Sequence, residues 1–276
     1  MFNLQPTPQY TLADPPLAQA LAQVRFPLVA RIQSLEGIVP LQDALAEQFP
    51  YMQRSVETSF AVNVSGADIQ PEQTVTWQFT DDEGRLLVVG SNQATLSVGK
   101  QYNGIGEFAS QFEQVLNSLK KAYPIRRCDQ IGARFLDIVP DDSEEAGQWK
   151  RWFRREIVGW SASEIVHGDT QLQAAVSQIQ LASPPIDSLA VCPADIQAVV
   201  RHGLAPAASI VPGVPPTQFR ERSFFLDIDL FVASPQEFDT RSIIAQYRAL
   251  HSQIDRFFRW TLTEEGEKHF GLEEKK

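Results

Sequence analysis

Cysteine is nearly absent: Cys128 and Cys192 are the only two in a chain of 276 residues. Two thiols cannot form the disulfide framework of a small secreted domain, so a reducing cytoplasm is the expected location and both cysteines are expected to be buried thiols. Long apolar runs are missing as well. No stretch approaches the roughly 20 consecutive apolar residues of a membrane span, and Met1 to Leu12 has neither the basic start nor the apolar centre of a signal peptide. Positive charge is in deficit, with 24 Lys plus Arg against 34 Asp plus Glu, a net charge of −10. That balance works against nonspecific nucleic-acid binding, because phosphate neutralisation supplies most of its affinity. Catalytic signatures are also lacking. There is no Gly-x-Ser-x-Gly elbow, Gly104-Ile105-Gly106 lacks the third glycine of a dinucleotide loop and reads as the start of a helix, and His167, His202, His251 and His269 share no metal-ligand spacing. No cofactor is expected, and His251 is expected to pack in the core.

What is present is a clear core pattern between Thr74 and Val139. Val75, Trp77 and Phe79 alternate with polar residues, the period of a strand with one buried face. Asp81-Asp82-Glu83-Gly84 then supplies turn chemistry before Arg85 to Val89 resumes a strand, and Ala94 to Val98 returns as a third. Phe108, Phe112, Val115, Leu116 and Leu119 follow at helical spacing, and Pro124 ends that helix. Cys128 to Val139 reads as a strand with Ile131, Ala133 and Phe135 on one face and Arg134 on the other. The unit predicted is β-β-β-α-β.

Around it, Met1 to Pro16 is expected as a weakly packed extended arm. Ala20, Ala22, Val24 and Phe26 predict a strand ending at Pro27, with a helix as the alternative. Pro40 is placed at the start of a short helix whose stripe is Leu41, Ala44, Leu45 and Phe49, and Arg54 to Val64 is a further strand. After the acidic run Asp141, Asp142, Glu144 and Glu145, one helix is predicted to carry Trp149, Trp152, Phe153 and Ile157 on a single face. Two more strands follow, Thr170 to Leu181 and Asp195 to Arg201, then an irregular connection from His202 to Pro216. Arg220 to Phe231 is predicted as a strand, and a long helix capped by Asp239 or Thr240 carries Ile243, Tyr247, Leu250 and Ile254. A short helix from Thr263 closes the pattern. Phe135-Leu136-Asp137-Ile138 recurs as Phe225-Leu226-Asp227-Ile228, which fits two similar α+β halves, 17–140 and 141–276, behind the arm 1–16. The fold class is α+β, antiparallel sheets backed by long helices.

Two groups of residues invite a functional reading. Asp227 and Asp229 lie two apart in a strand and project from one face about 7 Å apart, close enough to share a divalent cation if a third oxygen joined them. Their alternative is ion pairing across the sheet with Arg134, Arg201 or Arg25. Trp149, Lys150, Arg151, Trp152, Arg154 and Arg155 form the second group. They are either a cationic aromatic surface for nucleic acid or an acidic partner, or a core-facing aromatic stripe with a solvated basic face.

Several short motifs occur in order along nearly the whole chain: Pro15-Pro16-Leu17 leading to Val24-Arg25-Phe26, Trp77-x-Phe79 with its Asp82 to Gly84 turn, Tyr102, Phe108, Ile131-Gly132-x-Arg134-Phe135 and Leu226-Asp227-Ile228-Asp229. Together they resemble a sporadically distributed prokaryotic family of unknown function, with Ala133 where the family pattern tends to have leucine. The resemblance implies a bacterial or archaeal cytoplasmic protein, and its sporadic distribution implies accessory genes such as defence or toxin-antitoxin loci. The favoured expectation is a non-enzymatic accessory or regulatory protein acting through protein contacts, without a membrane role. A nucleic-acid-binding component of a defence system and a metal-dependent phosphodiester enzyme at Asp227 and Asp229 are the alternatives.

Overall fold

The protein is described from a computed structural model covering residues 2, 4, 8–60, 71–141, 147–163, 172–183, 195–215 and 219–274, with backbone alone at 57–60 and 71–73. Asp142, Glu144, Glu145, His167 and Cys192 lie outside the described residues. The elements are β1 (Tyr10–Leu12), β2 (Leu17–Arg25), α1 (Leu35–Leu45), β3 (Tyr51–Phe60), β4 (Pro71–Thr80), β5 (Leu86–Gly90), β6 (Gln93–Val98) and α2 (Ile105–Ala122). They continue with β7 (Arg127–Cys128), β8 (Gln130–Pro140), α3 (Trp149–Trp152), α4 (Arg155–Val158), β9 (Ala175–Ser183), β10 (Ile196–Ala205) and β11 (Ser223–Val232). Last come β12 (Gln236–Glu237), α5 (Thr240–Thr261), α6 (Glu264–His269) and β13 (Leu272–Glu274).

The fold is α+β. A nine-stranded sheet has the order β3-β4-β5-β6-β2-β8-β11-β10-β9, antiparallel at β3-β4, β4-β5, β5-β6, β11-β10 and β10-β9. The β2-β8 pair is antiparallel too. The Asp129 amide donates to the Arg25 carbonyl at 2.8 Å and the Ile138 amide to the Pro16 carbonyl at 2.9 Å, so the donor number climbs as the acceptor number falls.

Contacts divide the chain into two compact units, each discontinuous: 21–132 with 233–248, and 1–20 with 133–232 and 249–276. In the first, Phe108 and Phe112 of α2 sit against Tyr247 with ring centroids 6.1 and 5.5 Å apart. Trp77 Nε1 donates to the Ile32 carbonyl at 2.6 Å, and the Tyr123 hydroxyl to the Gly37 carbonyl at 3.0 Å. The buried face of α2 is the predicted stripe, and α2 begins after Gly104, whose positive φ of 97° favours glycine. The α1 helix departs from expectation. It starts at Leu35, because the Ser34 hydroxyl caps it by accepting from the Gly37 amide at 3.1 Å. Pro40 therefore lies inside the helix, which ends at Leu45 rather than Phe49.

The second unit contains the candidate site. β10 is the middle of three antiparallel strands, with Arg201 opposite Asp227 of β11 and Gln178 of β9. Strand β10 runs on through His202 and Gly203 to Ala205, so the irregular connection begins only at Pro206. The described part of the 1–16 arm is docked: β1 pairs with β13, the Tyr10 hydroxyl donates to the Asp255 carbonyl at 3.2 Å, and Phe2 stacks on Phe257 at 4.4 Å. Both copies of the Phe-Leu-Asp-Ile echo fall in this unit, on the neighbouring strands β8 and β11.

Candidate functional site

Asp227 is completely buried, and it is held by two guanidinium groups. Arg134 of β8 grips it in bidentate fashion, Nε to Oδ1 and Nη2 to Oδ2 both at 2.7 Å, while Arg201 Nη1 approaches Oδ2 at 3.1 Å. Asp229 stands further off, with its Oδ2 3.7 Å from Arg134 Nη1. The structure thus brings together Asp227, Asp229, Arg134 and Arg201, with the arginines on the carboxylates; Arg25, the third arginine the sequence offered, is exposed at the end of β2 instead. Among the described residues no group of three or more His, Cys, Asp or Glu is arranged to hold a metal ion.

The clamp is closed by backbone. Arg134 Nη2 also donates to the Gly213 carbonyl, and Arg201 Nε donates to Gln178 Oε1 at 2.8 Å. Gly213 has φ of 79°, and a Cβ there would stand 2.9 Å from Arg201 Nε. Only glycine lets the loop lie this close to the guanidinium. Two residues along the same strands from Arg134 and Asp227, Leu136 and Phe225 join Ala205, Val211, Val214 and Phe219 in an apolar cluster. Removing one partner of such a buried pair costs about 3–5 kcal/mol, since it strands the opposite charge.

The other face of β8 carries Asp137, which is also buried. Burial, and secondarily the charge of Asp227, push its carboxyl up to about 8. Phe135, on the same face, packs against the His251 ring at 5.2 Å. His251 is half-buried, whereas His202 is buried, and desolvation lowers its imidazole despite a hydrogen bond with the Ile157 backbone.

The aromatic and basic segment is not one helix. It breaks at Phe153, which bridges to Leu262, giving the two short helices α3 and α4. The Arg154 amide donates to the Thr261 carbonyl at 2.7 Å and the Thr263 amide to the Trp152 carbonyl at 2.9 Å, so the segment is stitched along the end of α5 instead of continuing as a helix. Trp149, Trp152, Phe153 and Ile157 are all buried. Trp149 stacks on Phe224 at 4.5 Å and Trp152 on His269 at 3.5 Å. The cations diverge. Arg151 pairs with Glu265 at 2.9 Å, Lys150 and Arg155 are exposed, and Arg154 lies over Trp260 at 5.6 Å and donates to its carbonyl. Arg154 thereby joins Arg256, Arg259, Trp260, Leu262 and Glu264 around a cleft of about 280 Å³.

One surface was not singled out by the sequence. Among the described residues β9 is the last strand of the sheet, and Val176, Ile179 and Leu181 are 52%, 41% and 41% exposed. Ile179 and Leu181 lie opposite Val200 and Ala198, both buried, so the core stops at β10. The turn Gly159–Ala162 packs on β9 and β10 and presents Trp160, 62% exposed. The strand itself was legible, but alternation alone does not distinguish an edge from the interior.

No protein-family model matches the chain, and no curated protein matches it.

Proposed function

We propose that the protein is a non-enzymatic accessory or regulatory component that works by binding another protein. The edge of β9 carries this reading. Native sheets shield exposed edges with charge, proline or bulges, yet the nine residues Ala175–Ser183, AVSQIQLAS, include no charged residue and no proline. An extended segment of a partner would pair with the edge main-chain groups of β9 that no strand among the described residues takes up, while Ile179, Leu181 and nearby Trp160 would take up apolar side chains. The acidic net charge of −10 supports a protein partner over a nucleic acid. The family resemblance supplies a setting, an accessory gene of a horizontally acquired prokaryotic defence or toxin-antitoxin locus.

The test compares the tagged wild type with an Ile179→Lys, Leu181→Lys variant, each purified from the native host and analysed by mass spectrometry and nucleic-acid extraction. The expected result is a stoichiometric protein that copurifies with the wild type alone, at matched thermal midpoints because both positions are exposed. Copurifying nucleic acid that disappears on Lys150→Gln, Arg155→Gln substitution would replace the reading with the nucleic-acid-binding one.

A further inference from the structure

The geometry points to a second site, the cleft at the end of α5, as a binding site for a small phosphate monoester with an apolar body. Its basic wall comes from two directions. Arg256, Arg259 and Trp260 stand at i, i+3 and i+4 on α5, and Arg154 is brought alongside by the Phe153 to Leu262 bridge. Arg154 uses Nε on the Trp260 carbonyl, so its two terminal nitrogens make no hydrogen bond among the described residues. Arg256 likewise forms no ion pair among them.

Arg259 supplies the independent sign. Its Nε reaches Glu267 at 3.4 Å and its Nη2 reaches Glu274 at 2.6 Å, while Nη1 is buried with no hydrogen-bond partner among the described residues. A buried guanidinium nitrogen without an acceptor is costly, and Arg259 lines the cleft with that donor capacity unused. The three guanidinium groups offer more donors than a single carboxylate can accept, whereas a phosphate monoester brings three acceptor oxygens and up to two negative charges. Leu4 and Trp260, both part-exposed in the lining, give an apolar body somewhere to rest. The opposing charges in the lining are Glu264 and Glu267, of which Glu267 is already engaged by Arg259.

Calorimetric titration at low ionic strength with phenyl phosphate, inorganic phosphate and benzoate tests the assignment. Phenyl phosphate is expected to bind most tightly. Arg256→Gln and Arg154→Gln should each weaken it about tenfold, Arg256→Gln at an unchanged thermal midpoint, and Glu264→Gln should tighten it by relieving repulsion. Absence of binding at about 10 mM ligand, weaker than any useful site, would overturn the proposal. So would equal affinities in the wild type and both arginine variants, the mark of an adventitious ion only. Inorganic phosphate or benzoate binding as well as phenyl phosphate would overturn the choice of ligand class.

Discussion

Asp137 shows how a single side chain can set a pH dependence. Unfolded, its carboxyl titrates at the ordinary 3.8; folded, burial and then the Asp227 charge hold it up to about 8. Between those values the folded chain keeps a proton that the unfolded chain has released, so this residue's contribution is full below pH 3.8, falls as pH rises, and is lost above about 8. The slope is at most about 1.4 kcal/mol per pH unit. Asp137 acts in turn on Tyr10, whose other charged neighbours are Asp255 and Arg259, and burial raises the Tyr10 and Asp255 groups as well. In urea denaturation the Asp137→Asn variant is therefore expected to gain on the wild type progressively from about pH 4 to about pH 8. A stability difference that does not change with pH would show that Asp137 is ionised in the folded chain. The Asp227 clamp was partly legible at this scale. Carboxylates and arginines on facing strands suggested pairing, but sequence could not choose between Arg134, Arg201 and Arg25, because that choice depends on strand order and register. Burial of Asp137 was not legible at all, since it shares a strand face with Phe135 and Val139 in a pattern that polar residues usually leave.

Elements with a strong period were read correctly because one face of each is buried. α2, α5 and β4 show it, whereas β11, equally regular in sequence, is buried on both faces over most of its length; the Ser242 amide confirms the Asp239 cap by donating to its carboxylate at 2.9 Å. The segment from Trp149 to Val158 was misread for the same reason: its buried aromatics do recur near helical spacing, but backbone bonds to Thr261 and Thr263 outcompete continuation of the helix. The exposure of β9 follows from its place in the strand order, which no local pattern reports. Gly203 matters to that strand. Its φ is 150°, and a Cβ added there would fall 1.9 Å from the Ala175 carbonyl oxygen at the start of β9. Since that obstacle is backbone, the two strands must separate locally. Gly203→Ala is expected to destabilise the protein by about 2–4 kcal/mol, a clash and strain effect at the large end for single substitutions. Amide hydrogen exchange should show protection lost along β9 and retained in α2. Unchanged protection at β9 would mean that the β9-β10 approach is looser than the structure shows.

At the scale of the molecule, the question is which stretches fold together. The unit holding the Asp227 clamp is assembled from 1–20, 133–232 and 249–276, so a cut at 140/141, the midpoint suggested by the Phe-Leu-Asp-Ile echo, passes through it. A fragment spanning 141–276 would lose Arg134, leaving the buried Asp227 with Arg201 alone. It would lose Leu136, Ile138 and Ala18 from the cluster around Phe225. It would also lose β1 and with it the pairing of Tyr10–Leu12 to Leu272–Glu274. A half-compensated buried charge costs about 3–5 kcal/mol, a large share of the 5–15 kcal/mol that holds a typical domain folded. Exposing the β8 side of β11 adds to that loss. The fragment is therefore expected to lack a cooperative urea transition and dispersed amide resonances, and the intact chain to show both. Adding residues 1–140 in trans should restore a transition if the missing strands are what the fragment needs. A fragment that folds cooperatively by itself would show that the second half is autonomous, and that β8 and Arg134 are additions to a core complete without them.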